Sequence, residues 1–228
     1  MNLLSFDTST EFCSAALTLS GQVLSRECMA GNRHSELLLP MLTELLNEAG
    51  VRLGELDGIA FGRGPGSFTG LRIGCGVAQG LALGADLPVV GIITLEAMAW
   101  QAQADRVITC LDARMHEVYY AAYRRLGDSL EAVLAPCVCK PDAVPLPEGE
   151  AWHAGGSGFA AYPTVLESRL AGHIARVVPE LWPHARAIAA LALPRFLAGE
   201  AVSADHAEPF YVRDKVALTT RERREAIR

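Results

Sequence analysis

Short apolar runs closed by polar turns alternate along the chain with longer stretches of helical period. Asn2 to Phe6 is apolar, of strand length, and stops at the polar turn Asp7-Thr8-Ser9-Thr10. Cys13 to Leu19 and Gln22 to Met29 predict two strands joined at Ser20-Gly21, a hairpin. From about Ser35 to Ala49 the apolar positions recur at helical spacing, and Gly50 supplies the stop. Leu38, Leu42, Leu45, Leu46 and Ala49 form one stripe. Leu37, Leu39 and Met41 widen it to about 200° of arc, well beyond the ~100° needed to cover one core. Pro40 kinks or delays the early part of this helix. Gly58 to Phe61 and Pro88 to Ile93 predict buried strands, and Thr94 to Ala104 a short helix.

Between those two strands lies a glycine-rich stretch, Phe61 to Gly84. Gly62-Arg63-Gly64-Pro65-Gly66 is too dense in glycine and proline for regular structure and predicts a turn. Ser67 is a plausible N-cap, and a helix follows. Gly70, Gly74, Gly76, Gly80 and Gly84 all fall inside it, although each costs about 1 kcal/mol relative to alanine. At 100° per residue, Gly70, Ile73, Gly74, Val77 and Leu81 share one face. Arg72, Cys75, Gly76, Gln79 and Leu83 share the opposite one. Missing side chains on both faces allow close approach from two sides. Dense packing within one chain and packing against a second chain both remain open.

The pattern then restarts. Arg106 to Leu111 predicts a strand ending in Asp112. Glu117 to Tyr123 and Leu130 to Val138 predict strands around a turn at Gly127-Asp128. Strand, aspartate and hairpin therefore occur twice, which suggests two halves of related architecture. Pro136 to Glu150 reads as loop, Trp152 to Gly158 as a strand running into Gly155-Gly156-Ser157-Gly158, and Pro183 to Leu197 as a helix. Glu208 to Ala217 reads as an extended piece docked on the surface.

Composition narrows the function classes. The net charge is −6 over 228 residues, with an acidic excess ill suited to holding nucleic acid unaided. The basic run Arg221–Arg228 reads as a solvated tail. The start of the chain has no basic region ahead of its short apolar run, so no signal peptide is expected. No window approaches the ~20 apolar residues of a membrane span. Six cysteines without a CxxC pair fit reduced thiols in the cytoplasm.

Candidate chemistry sits at the strand ends. Asp7 and Asp112 could hold a metal-bound water, and the hydroxyls and amides of Thr8, Ser9 and Thr10 could cradle a phosphate. The alternative is a pair of polar turns that satisfy their own backbone. Ser9, Ala113 and Arg114 stand where a close phosphate turn would have glycine. Gly62–Gly66 lacks the lysine of a P-loop. No histidine pair has metal-ligand spacing, and Ser67 and Ser157 lack the nucleophile elbow of acyl-transfer enzymes.

Taken together, LLSFDTSTEFCSAAL, HSELLLPMLTELL, GPGSFTGLRIGCGVAQGLALGADLPVVGI, LDARMHEVYYAAY and PFYVRDKVA resemble the TsaB (YeaZ) family. The resemblance covers most of the chain and is strongest over residues 1–123. It implies an α/β protein of the actin/Hsp70-like ATPase (ASKHA) fold. Two RNase H-like subdomains are expected, 1–104 and a reduced 105–228. It implies partnership with a paralogous catalytic subunit, TsaD, and a small ATPase, TsaE. These transfer threonylcarbamoyl from its adenylate to the adenosine 3′ of the tRNA anticodon. The catalytic paralogues carry an HxxxH metal pair where this chain has Thr94 and Met98, so a non-catalytic subunit is expected. The resemblance also implies that the helix near 35–49 and the glycine-rich helix bundle with a second subunit, either TsaD or another copy of this chain. Leu37, Met41, Arg72, Cys75, Gly76, Gln79 and Leu83 are the expected outer contacts. No tightly bound cofactor or metal is expected; weak ATP or ADP at a partner-shared site would use Asp7, Thr8, Ser9, Thr10 and Asp112. tRNA is expected only through the assembly. The competing reading is an independent ATP-dependent kinase or hydrolase working across Asp7 and Asp112.

Overall fold

The computed structural model describes residues 1–213. The Arg221–Arg228 tail and the last part of Glu208–Ala217 lie outside the described residues.

The first sheet is built from β1 (Leu3–Asp7), β2 (Phe12–Leu19), β3 (Gln22–Met29), β4 (Gly58–Gly64) and β5 (Val89–Ile93), in the order β3-β2-β1-β4-β5. The β1–β2–β3 meander is antiparallel, while β4 and β5 add in parallel. The second sheet comprises β6 (Arg106–Asp112), β7 (Val118–Leu126), β8 (Ser129–Cys139), β9 (Trp152–Gly155) and β10 (Ile174–Val178). Its order, β10-β9-β6-β7-β8, read from the other edge, repeats the first sheet, with the same mixture of directions. The repeat of strand, aspartate and hairpin is therefore a repeat of topology.

Helices cover both faces of the first sheet, which is why every residue of β1 is buried and its sequence does not alternate. On one face lie α1 (His34–Ala49) and α2 (Phe68–Ala85), closing a core around Leu4, Phe6, Leu38, Leu42, Leu45, Ile59 and Phe61. On the other lies α6 (Ala185–Leu197), packed on Leu3, Ala60 and Val90. Residues 185–211 thus return to the first sheet and its helices, so a division of the chain at 104/105 does not coincide with the packing units. Polar groups tie this return down. The Ser5 hydroxyl donates to Ala185 O at 2.9 Å, and Ala185 N donates to the Ser14 hydroxyl at 2.9 Å. Between the sheets sits α3 (Thr94–Gln101), touching both halves, with Glu96 gripped by Arg195 of α6 through two 2.7 Å bonds.

The second half is the reduced one. Where the first half places α1 between β3 and β4, the second has a single 3-10 turn, Pro141–Ala143, and proline-rich loop. Two short helices, α4 (Ser157–Ala161) and α5 (Pro163–Arg169), stand in the place of α2. The stretch read as strand through Gly158 ends at Gly155, and α4 begins at Ser157.

Candidate functional site

The glycine-rich stretch and the Asp7–Thr10 turn are fitted to one another. A methyl group on Gly62 would overlap the Asp7 carboxylate. On Gly66 it would overlap Ser9 O, and on Gly70 it would overlap Thr8 O. On Gly74 it would stand 2.6 Å from the Thr8 hydroxyl. Glycine at these four positions lets β4 and α2 close directly over the turn. Thr8 Oγ1 then reaches Gly70 O at 2.8 Å, and Ser67 Oγ accepts Gly70 N–H at 3.4 Å, the expected N-cap.

Asp7 is consequently sealed. Its Oδ1 accepts the Ser9 amide at 2.8 Å and the Ser9 hydroxyl at 2.7 Å. Its Oδ2 sits against Gly62 beside the Thr94 hydroxyl, and neither of these oxygens has a partner in good hydrogen-bond geometry among the described residues. Burial pushes the carboxyl up to about 6, against the opposing bonds from Ser9. Asp7 and Thr8 are fully buried. The expectation that they line a ligand site is corrected: the glycines close over them.

The cleft itself lies between the halves and encloses about 720 Å³. Of the five residues expected there, Ser9, Thr10 and Asp112 line it; Asp7 and Thr8 do not. Asp112 accepts the Arg114 amide at Oδ1, 3.0 Å, and pairs with the Arg114 guanidinium at 3.5 Å. Arg114 also reaches across to Glu11 of the first half at 3.4 Å. The Asp112 amide donates to Ser157 Oγ at 3.1 Å. Arg114, Met115 and His116 all have left-handed φ, at 59°, 54° and 62°. That conformation costs a non-glycine residue roughly 1–2 kcal/mol each. The backbone of the second turn thus keeps the shape glycines would adopt, while its side chains fill the approach.

Gly155-Gly156-Ser157-Gly158 is not a ligand turn either. Side chains on Gly155, Gly156 and Gly158 would collide with Val178 O, Cys110 O and the Cys110 sulfur. Thr94 and Met98, the positions that the resemblance sets against a metal pair, are wholly buried in the packing between the sheets.

The outer side of α2 divides the expected contact residues. Arg72 and Gly76 are exposed and Leu83 is 79% exposed; on α1, Leu37 is half-buried. Added side chains at Gly76, Gly80 and Gly84 would meet nothing within 4 Å among the described residues. Three of the assignments are corrected. Met41 is buried in the chain's own core, its sulfur 3.9 Å from that of Cys13, because the core curves round α1 to meet it. Cys75 faces inward with Leu71 and Ala78, and its thiol lies 3.4 Å from Ala207 O. Gln79 donates to the same carbonyl at 2.8 Å. The segment at Ala207 thus lies over Cys75 and engages the Gln79 amide, while Gln79 stays half-exposed. Leu39 of α1 and Phe68 of α2 are also exposed, at 47% and 40%. Leu39 was legible as the outermost apolar position of α1.

Two five-stranded sheets of one topology, facing across a cleft, define the actin/Hsp70-like ATPase fold class. The family model for TsaD, tRNA N6-adenosine threonylcarbamoyltransferase, matches residues 27–220. The chain is 41% identical to the tRNA threonylcarbamoyladenosine biosynthesis protein TsaB of Escherichia coli, over 95% of this chain and 96% of that protein. It is 39% identical to the protein of the same name from Haemophilus influenzae, over 95% of each. The solved structure of YeaZ from Pseudomonas aeruginosa matches with a TM-score of 0.86 at 39% identity, covering 92% of this chain and 99% of that one. The chain belongs to the TsaB (YeaZ) family. Among the described residues no helix is long and apolar enough to cross a membrane, and no group of three potential ligands could hold a metal ion.

Proposed function

We propose that this chain is a non-catalytic scaffold subunit. It would act with TsaD and TsaE in transferring threonylcarbamoyl from threonylcarbamoyl-AMP to N6 of the adenosine 3′ of the tRNA anticodon. Its relatives' names supply the pathway. The observation that carries the scaffold role is the row Gly76, Gly80, Gly84, in the interior of α2 or at its end, with open space before each. Glycine inside a helix costs about 1 kcal/mol. The inward glycines offset that by admitting the Asp7–Thr10 turn; these three admit no neighbour among the described residues. With exposed Arg72 and Leu83 they fit the close approach of a helix from TsaD or, when the chain is alone, from a second copy.

The reading of an independent kinase or hydrolase has the cleft in its favour. Against it, the Asp7 carboxylate does not reach that cleft. Nucleotide, if bound, would meet Ser9, Thr10 and Asp112 weakly, at a site completed by a partner. A peptidase reading finds the Ser157 hydroxyl engaged by the Asp112 amide and Ser67 capping α2. Reconstitution tests the proposal: tRNA modification by TsaD and TsaE should require this chain, which alone should neither modify tRNA nor turn over ATP. Turnover by the isolated chain would overturn it.

A further inference from the structure

Between α6 and Arg213 the described residues carry one 3-10 turn, Ala204–His206, and one bridge, Val202 to Val89, and the segment is held at short intervals. Ala207 O takes hydrogen bonds from Gln79 and from the Cys75 thiol on α2. The Phe210 amide donates to Arg63 O at 2.7 Å, and the Arg63 guanidinium stacks over the Phe210 ring at 5.7 Å. Tyr211 packs on Phe68 with ring centroids 5.8 Å apart, and its hydroxyl accepts from Arg72 at 3.3 Å. All these partners belong to the first half. Arg213 then crosses to the second half, binding Glu117 at 2.5 Å and lying over the Tyr119 ring at 5.9 Å. Phe210, Tyr211, Val212 and Arg213 line the cleft, and Ala207 covers the side of α2 next to the exposed glycines.

We propose that Ala207–Arg213 is a strap that couples the cleft to α2. It is anchored at Ala207, Phe210, Tyr211 and Arg213, so no more than two residues lie free between anchors. At no more than ~3.6 Å of reach per residue, so few free residues leave little chain between anchors to take up a shift at one end. Movement of the Arg114–Tyr119 hairpin, as the cleft opens or fills, pulls Arg213 and through it the contacts on Arg72 and Gln79. Displacement of the strap from α2 in turn frees Glu117. Coupling of this kind is reciprocal. Its consequence is that a ligand in the cleft and a helix docking on α2 influence one another. That consequence rests on the docking face proposed above; the coupling itself does not, and it is testable in the isolated full-length chain.

Hydrogen–deuterium exchange reads it in both directions. Arg213→Ala, and separately Glu117→Gln, cut the tie to the second half without touching α2. Each should speed exchange in the strap and in the first turns of α2 by roughly tenfold, the loss expected for a charged hydrogen bond. Gln79→Ala should speed exchange in residues 113–119. Peptides of α5, remote from the strap, report global unfolding and should not change. Faster exchange confined to the strap, with α2 and the hairpin within twofold of wild type, would overturn the coupling. So would an unchanged strap.

Discussion

Asp7 and Asp112, at the ends of equivalent strands in the two halves, make the same bond: each Oδ1 accepts the amide two residues on, from Ser9 at 2.8 Å and Arg114 at 3.0 Å. The surroundings then part them. Asp7 is closed over by glycines and pairs with no cation among the described residues, whereas Asp112 stays partly exposed and pairs with Arg114. One aspartate has become an internal fastener and the other part of a bridge between the halves.

The sealed carboxylate predicts a pH dependence. Asp7 rises from 3.8 to about 6 on folding, so between those values the folded state holds the extra proton. Stability therefore falls as pH rises through that window, and the penalty is complete above about pH 6. Asp7→Asn keeps the acceptor for Ser9 and removes the charge. It should stabilise the chain by on the order of 2–3 kcal/mol at pH 7 and by almost nothing near pH 3.8. Denaturant titration at both pH values checks this; an equal effect at both would rule out the charge as the cause. Asp7→Ala should instead strand the Ser9 donors and gain less stability than Asp7→Asn in the same titration.

One helix should give opposite answers to one substitution. Gly76→Ala gains helix propensity and meets nothing, so it should raise stability by about 1 kcal/mol, or roughly 2–4 °C in melting temperature. Gly70→Ala drives a methyl into Thr8 O and should cost about 2 kcal/mol net. Calorimetry of the two variants decides; equal signs would refute the division of the glycines into inward and outward sets.

The thiols should differ in reactivity. Burial pushes the Cys13 thiol up to about 12 and raises Cys110 as well, whereas Cys137 and Cys139 are only half-buried. Brief alkylation at neutral pH, read by mass spectrometry, should label the half-buried thiols ahead of Cys13 and Cys110. First labelling of Cys13 or Cys110 would contradict the packing described.

The two-half architecture is legible in the sequence because a strand, an aspartate and a hairpin leave period and turn signals twice. The wide apolar arc of α1 and the glycines of α2 are equally legible as surfaces, but not as to who covers them. Met41, Cys75 and Gln79 show why. A core that wraps a helix and a strap that covers one both satisfy an outer apolar or polar position exactly as a partner would in the pattern alone. The strap leaves no period, since its anchors include the Ala207 carbonyl and the Phe210 amide, which any residue could supply. Nor does α6 reveal its sheet. With buried Ala185, Ala187, Ala189 and Ala192 around much of its circumference, it has no single face to read.

The most direct measurement of the scaffold account is co-elution of Gly76→Leu with TsaD in size-exclusion chromatography, alongside its melting temperature. A leucine there fills open space on the isolated chain and blocks close approach of a second helix. The account predicts a folded chain, melting no lower than wild type, that no longer co-elutes with TsaD while the wild type does. Unchanged co-elution of the folded variant would contradict it.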